Sequence, residues 1–335
     1  MGFRYNFNSF LLFIGVPLLA LALHICVGKY PLSPTIIPTL FIEKLSGTSE
    51  HALEQLVFFS IRLPRAIMAA LFGATMGVTG AALQSTLKNP LVSPYTLGMS
   101  SGAAVGAALS LAFNLGVLST EVSAFMFALL AIFLTLTISS VRGSLSPVSI
   151  VLAGIIVSAL FQGVLTIIQI TAQPENVSAI VSWIAGRLNA VHWNHVLLST
   201  PLALVGILCV ILWRWRVFIL SMGDEEAKAL GVNVKRERVV VTVFASLAVS
   251  SVVTVAGIIG WVCLIAPHLT RLIVGSDPKR LLPASLSLGA ALLLVADALA
   301  KSVWNYEIPV GVVTTLIGAP LFLYLLRRSM HVYGG

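Results

Sequence analysis

The segment Gly98-Met-Ser-Ser-Gly102 holds a serine in the GxSxG spacing, which at a sharp strand-to-helix turn presents a nucleophilic hydroxyl for acyl transfer. That chemistry also needs a base and an oxyanion hole, and Ser100 stands in a run of small residues spaced for close helix packing. Packing is therefore the stronger reading. The histidines, His24, His51, His192, His195, His268 and His331, form no HExxH pattern and no pair four residues apart, so a zinc site has little support. No glycine-rich loop ending in Gly-Lys-Ser or Gly-Lys-Thr occurs, so the chain supplies no ATPase of that type. Asp297 and Lys301, four residues apart, share a helix face. An acid within an apolar stretch marks function by default, and the alternative is a local ion pair whose lysine reaches the membrane surface. Both readings stand on the sequence. A proton relay calls for further acids inside the apolar stretches, and the sequence places none there.

These residues sit on elements dictated by an unusual composition. The 335 residues are 58% hydrophobic and 10% charged, against roughly 25% charged in a soluble domain. The expected class is an all-α polytopic membrane protein, a single transmembrane domain over 1–335. The net charge of +8 reports orientation in such a chain and gives no sign of nucleic acid. Cys26, Cys209 and Cys263 lie far apart in apolar runs without metal-ligand or redox spacing, and read as small buried side chains. The apolar run that follows Arg4 lacks the short core and small-residue cleavage site of a signal peptide, and is expected to be a retained first span.

Apolar runs predict spans at 10–28, 65–86, 97–113, 122–141, 148–171, 196–216, 239–258, 260–275, 283–300 and 310–326, about ten in all by the ~20-residue requirement. The third and eighth are short, which suits tilted, partial or re-entrant segments enclosed by protein. With the first residue inside, 14 of the 20 Lys and Arg residues fall on the cytoplasmic side. They are Arg4, Lys88, Arg142, Arg214, Arg216, Lys228, Lys235, Arg236, Arg238, Arg271, Lys279, Arg280, Arg327 and Arg328. That bias predicts both termini cytoplasmic. Lys29, Lys44, Arg62, Arg65, Arg187 and Lys301 fall outside, and the pair Arg62 and Arg65 calls for a reason. The pairs Gly73/Gly77 and Gly102/Gly106 let helix backbones approach closely. Loop 29–60 holds Pro31, Pro34 and Pro38; segment 172–195, with Trp183, Trp193, His192 and His195, predicts a helix lying at the membrane interface, anchored by aromatics.

The most informative polar stretch is Ser221-Met-Gly-Asp-Glu-Glu-Ala-Lys-Ala-Leu-Gly231, an acidic segment between Trp213-Arg-Trp-Arg216 and Lys235-Arg-Glu-Arg238. Ser221 with Asp224 three residues on predicts a capping box, Asp224, Glu225 and Glu226 suit a helix start, and Gly231 suits its stop. A helix so placed, on the cytoplasmic side of a membrane protein, offers a handle to a soluble partner; the plain alternative is a solvated loop helix.

The motifs resemble those of FecCD-type permeases, the membrane subunits of ABC importers for iron–siderophore complexes, haem and vitamin B12. They are Arg62-Leu-Pro-Arg65, Gly80-Ala-Ala-Leu-Gln84, Asn89-Pro-Leu-Val-Ser-Pro94 with Leu97-Gly98, Leu152-Ala-Gly154, Ala229-Leu-Gly231, Gly257-Ile-Ile-Gly260, Pro267-His268, Arg271, Leu281-Leu-Pro283, Ala296-Asp297, Pro309-Val-Gly-Val-Val-Thr314 and Gly318-Ala-Pro320. They run from about residue 20 onward in the family's order. The resemblance implies a vitamin B12-importer-type bundle of about ten helices in a bacterial cytoplasmic (inner) membrane. Implied partners are a second permease subunit (the same chain or a close paralogue), two cytoplasmic ATP-binding subunits and an external or periplasmic solute-binding protein. No cofactor is implied on this chain, which is not an enzyme; ATP and magnesium belong to the ATPase.

Carried over by position, Ser221, Met222, Gly223, Asp224, Glu225, Glu226, Ala229, Leu230 and Gly231 match the ATPase-coupling segment, within about 218–238. Arg62, Arg65 and Lys301 match basic positions that face the binding protein. Ser146 and Pro147 match the turn that narrows the cytoplasmic end of the path, where Pro147 departs from an expected hydroxyl residue. Gly186-Arg-Leu188 departs too, with Arg187 in place of a small residue; it could dock the binding protein, meet headgroups or favour an anionic ligand. The implied cargo is a metal chelate, ferric siderophore first, then haem or cobalamin. The rival readings are an oxyanion importer, for example of molybdate, an ion-gradient transporter with intramembrane acids and, more distantly, a hydrolase using Ser100.

Overall fold

The structure, a computed structural model, describes residues 11–48, 50–140, 145–303 and 306–333. Arg4 and Arg142, counted above on the inner side, lie outside the described residues. Among the described residues fourteen α-helices of six residues or more carry the fold. They begin with α1 Val16–Cys26, α2 Ile37–Ser46, α3 Leu63–Thr86, α4 Met99–Ala112 and α5 Val117–Ser139. There follow α6 Pro147–Thr171, α7 Pro174–Ile184, α8 Trp193–Leu212, α9 Arg214–Met222 and α10 Asp224–Ala229. The last are α11 Val234–Ala256, α12 Val262–Val274, α13 Pro278–Ser302 and α14 Val310–Tyr333. No strand occurs among the described residues, as an apolar solvent requires when no closed barrel forms.

Among the described residues six helices are long and apolar enough to cross a membrane: Ala52–Thr86, Val117–Ser139, Pro147–Thr171, Trp193–Leu212, Val234–Ala256 and Pro278–Ser302. Shorter apolar helices at Phe13–Cys26, Met99–Ala112, Val262–Val274 and Val310–Leu325 occupy the remaining expected positions. α4 and α12, with 14 and 13 residues, are each about 20 Å long at ~1.5 Å per residue, short of a ~30 Å hydrocarbon layer. Protein encloses α4 and α12 as far as Thr270. α4 lies against α5, where a Cβ on Gly102 would come 2.4 Å from the Phe127 carbonyl oxygen and one on Gly106 2.3 Å from that of Ser123. α12 is entered through the turn 257–261, whose backbone groups meet protein rather than lipid. Tyr95 Oη donates to the Ile259 carbonyl at 3.0 Å, and beside it the Arg187 N–H donates to that of Ala256 at 2.8 Å.

The centre of the bundle is the crossing of α3 and α13, its most extensive helix–helix contact. Added Cβ atoms there would stand 2.2 Å from the Gly289 oxygen at Gly73, 1.9 Å from the Ser285 oxygen at Gly77 and 2.2 Å from the Gly73 oxygen at Gly289. Backbone therefore lies on backbone, as small-residue helix interfaces allow. α12, α11, α8 and α1 pack around this pair, while α6, α8 and the far side of α5 expose leucine, isoleucine and valine, as lipid or a second chain requires.

Two placements differ from the sequence reading. Trp183 in α7 is buried in the core rather than lying at the interface; its turn is drawn inward where Gly257 and Gly186 approach. Trp193 does reach outward, its indole N–H donating to the Phe59 carbonyl at 2.8 Å. The loop at 29–60 folds into α2 and a π-helical turn Leu56–Arg62 around Leu32, Leu40 and Phe58. Within it Glu43 takes the His51 ring at 2.6 Å and the Gln55 amide at 2.8 Å. The His51 hydrogen bond holds the Glu43 carboxyl below its ordinary range, and Glu43 in turn holds the His51 imidazole above its own.

The contact at Gly77 sets an expectation. Overpacking a filled interface costs about 1–3 kcal/mol, so Gly77→Ala lowers the apparent Tm of the detergent-solubilised protein. Gly15→Ala, where nothing lies within 4 Å of the added carbon, leaves it unchanged. Equal behaviour of the two variants would contradict the packing.

Candidate functional site

Two polar clusters close the bundle at opposite ends. At the end where α9, α10 and the start of α11 meet, Ser221 and Met222 are still helical, and Ser221 Oγ donates to the Phe218 carbonyl at 2.7 Å. The expected capping box from Ser221 is thus not formed. The break falls at Gly223, whose φ of 153° and ψ of 162° lie in a region that glycine alone takes cheaply. Asp224, Glu225 and Glu226 form the first turn of α10, as expected, where the helix dipole favours acids. Its other end closes at Gly231, φ 75°, with the Gly231 N–H on the Lys228 carbonyl and the Val232 N–H on that of Ala227, a Schellman motif. Ala227 points inward onto Ile219, Leu220, Val232 and Val234, a small core separate from the main one. The outward surface presents Met222 and Leu230, 52% and 60% exposed, with Glu225, Glu226, Ala229 and Gly231 around them.

Arg238 holds this segment to the bundle. Its side chain is 1% exposed, and its guanidinium donates to Asp224 Oδ1 at 2.7 Å, to Asp224 Oδ2 at 3.3 Å and to the Leu145 carbonyl. Leu145 leads directly into Ser146, the N-cap of α6, whose Oγ accepts the Ser149 N–H at 3.0 Å. Pro147 takes the first position of α6, where its missing N–H costs nothing; this accounts for the departure from a hydroxyl residue. A cleft of about 570 Å³ lies between the two parts, lined by Leu145 and Ser146 on one side and by Asp224, Lys228, Asn233 and Lys235 on the other. A second, of about 420 Å³, runs from Lys88, Asn89 and Pro90 to Pro147 and Leu152.

At the opposite end, Arg62, Arg65 and Lys301 come together, yet all three turn inward and are 5%, 6% and 4% exposed. Arg65 grips Asp297 with Nε at 2.8 Å and Nη2 at 2.9 Å, and reaches Glu307 with Nη1 at 2.9 Å. His24 meets the same Asp297 carboxylate at 2.6 Å. Lys301 Nζ donates to the His24 carbonyl at 2.6 Å, and Arg62 donates to the carbonyls of Ile25 at 2.5 Å, Cys26 at 3.0 Å and Tyr30. Arg62 and Lys301 thus satisfy the last carbonyls of α1, where cations suit the negative end of the helix dipole. That is the physical reason for basic residues on the side the charge count disfavours. Asp297 is paired across helices with Arg65 and His24 rather than along its own helix with Lys301. It is also not the only acid within the apolar helices. α5 starts at Val117 and takes in Glu121, buried, with Oε1 3.5 Å from His195 Nε2.

The remaining candidates are placed simply. Ser100 lies in the first turn of α4, after the left-handed Gly98 at φ 89°; with no strand among the described residues, no nucleophile elbow is built. Among the described residues no three metal-ligating side chains converge. Arg187 donates to Ser182 Oγ at 3.0 Å and lines a small cavity of about 100 Å³ with Arg65, Asn189 and Glu307.

The profile of the FecCD transport family matches residues 16–328. The chain belongs to this family. It is 38% identical over 211 residues to the "Probable iron chelatin transport system permease protein" of Helicobacter pylori, 63% of this chain and 64% of that one. The matched part thus spans somewhat under two thirds of that relative. The molybdate import system permease protein MolB of Haemophilus influenzae is 33% identical over 308 residues, 90% of this chain and 91% of its own. A solved structure described as "An inward-facing conformation of a putative metal-chelate type ABC transporter" superposes with a TM-score of 0.85 at 31% identity, covering 94% of this chain and 97% of that one.

For this FecCD member, the residue that sequence reasoning passed over is Arg238, counted there as one charge in a basic cluster. A signal existed: Arg238 is four residues after Val234 and three before Val241, both buried, so helical spacing puts it on the inner face. Removing one partner of a buried ion pair costs about 3–5 kcal/mol. Asp297→Asn leaves Arg65 half-neutralised beside Glu307 and is expected to lower the apparent Tm by about 6–12 °C. An unchanged melting temperature would show that the pair does not hold α3 to α13.

Proposed function

We propose that this chain is the permease subunit of a binding-protein-dependent ABC importer that carries a metal chelate across a bacterial cytoplasmic membrane. Ferric siderophore is the first candidate cargo, and haem or cobalamin the next. The observation that carries this reading is the segment 221–231: an acidic helix with its own small core, bracketed by glycine breaks, presenting Met222, Glu225, Glu226 and Leu230 from an otherwise apolar bundle. Such a knob suits the groove of a soluble ATPase, one of two that hold ATP and magnesium, and the family membership supports that partner. The chain performs no hydrolysis of its own. A second permease subunit, identical or paralogous, covers apolar helix faces such as that of α6, and both termini are cytoplasmic by the charge bias.

The Arg65 end faces the external binding protein. With Arg62, Arg65 and Lys301 turned onto α1 and Asp297, their part in docking is to hold the surface that the binding protein meets. Two arrangements of the bundle open the path to opposite sides, and ATP binding on the partner biases them. One observation favours a second cargo class: the molybdate permease aligns along nearly the whole chain, and Arg187, near the cavity beside Glu307, suits an anion.

The test is uptake into proteoliposomes holding this chain, its ATPase and a loaded binding protein, with ferric siderophores, haem, cobalamin and molybdate offered in turn. Uptake of a chelate that stops without ATP or without the binding protein is the expected result. Uptake of molybdate alone moves the cargo to oxyanions, and uptake that needs only an ion gradient overturns the reading.

A further inference from the structure

We infer that Arg238 is the positioning residue through which movement of the coupling segment reaches the turn that starts α6; this rests on the importer reading above. One guanidinium joins three separate elements. It takes both oxygens of Asp224, the first residue of α10, belongs itself to α11, and holds the carbonyl of Leu145, which precedes the N-cap of α6. α10 is a separate helical unit, since Gly223 at φ 153° and Gly231 at φ 75° break the helix on either side. Among the described residues, its attachments to the bundle are its chain ends, the apolar contact of Ala227 and the Arg238 fork.

The chemistry of the joint suits transmission. A charge 1% exposed cannot let go of its partners without a large desolvation penalty. Among the described residues its Nε has no hydrogen-bond partner, and the guanidinium's hydrogen bonds there go to Asp224 and Leu145. The planar fork also fixes direction, which an ammonium does not. The cleft of about 570 Å³ between α10 and the 145–146 turn leaves room for the two sides to move relative to one another. A push on the exposed face of α10 is therefore carried by Asp224 and Arg238 to Leu145, and so to Ser146, Pro147 and the axis of α6.

The experiment uses the assembled importer, comparing the unaltered chain with Arg238→Lys and Asp224→Asn. Two quantities are read in the same proteoliposomes: uptake, and ATPase activity stimulated by the binding protein. Spin labels at Lys228, on the exposed side of α10, and at Val148, on the exposed side of α6, report movement in the two elements. Arg238→Lys is expected to cut uptake per ATP hydrolysed at least tenfold, with the stimulated ATPase within about threefold of normal. The nucleotide-dependent displacement at 228 persists while that at 148 is lost. Asp224→Asn, which keeps the side-chain shape but loses the charge and one of the two acceptors, gives the same split in weaker form and serves if the lysine variant fails to assemble. Uptake and ATPase activity falling in proportion, or displacement at 148 surviving in both variants, overturns the inference. If the unaltered chain shows neither ATP-dependent uptake nor a stimulated ATPase, the importer reading fails instead.

Discussion

The structure depends on the crossing of α3 and α13, where backbone touches backbone at Gly73, Gly77 and Gly289. Within a membrane there is no hydrophobic drive to press helices together, and close packing and polar contacts must supply it. The crossing has both. Its glycines and Ser285 permit an approach that any larger side chain would prevent, and one end of it is pinned by the fork of Arg65 on Asp297. Around this pair the short helices become possible: α12 starts at mid-bundle because α3 offers it Gly80, where a Cβ would come 2.2 Å from the Cys263 oxygen. Gln84 on α3 also donates to that same carbonyl at 3.1 Å.

The two polar clusters divide the work differently. At the Arg65 end the charges are satisfied inwardly, and His24, Arg62, Lys301 and Asp297 tie α1, α3 and α13 into one piece. At the Arg238 end a single buried arginine joins parts that are otherwise separated by glycine breaks and a cleft. One end is built as a frame and the other as a joint. Under the importer reading proposed above, that asymmetry lets force from a soluble partner move one end without unpacking the bundle.

Much of this was legible from apolar run length, because a spanning helix must satisfy its backbone and cover it with apolar side chains. The ten apolar positions follow from it directly, the glycine pairs from their four-residue spacing, and the segment at 221–231 from its acidic residues between two basic clusters. One boundary differs where a polar partner lies far off in sequence: the expected fourth span, 122–141, begins after Glu121, whereas α5 begins at Val117 and takes Glu121 in, with His195 beside it. Local capping rules favoured Ser221, whereas the chain turns at Gly223, since continuing α9 buries Ile219 and Leu220 against Ala227. The inward turn of Arg62, Arg65 and Lys301 could not be read from one sequence, because their partners lie tens to hundreds of residues away. The same distance hides the contact of Arg238 with Leu145.

The central claim is that α3 and α13 form a frame that stays fixed while α10 and α6 move. It is tested most directly by a disulfide engineered between facing positions of α3 and α13, in a chain whose Cys26, Cys209 and Cys263 have been replaced, with uptake measured before and after oxidation. A rigid frame gives equal ATP-driven uptake in the oxidised and reduced states. Uptake abolished by oxidation and restored by reduction would show that the two helices part during transport, contradicting the account.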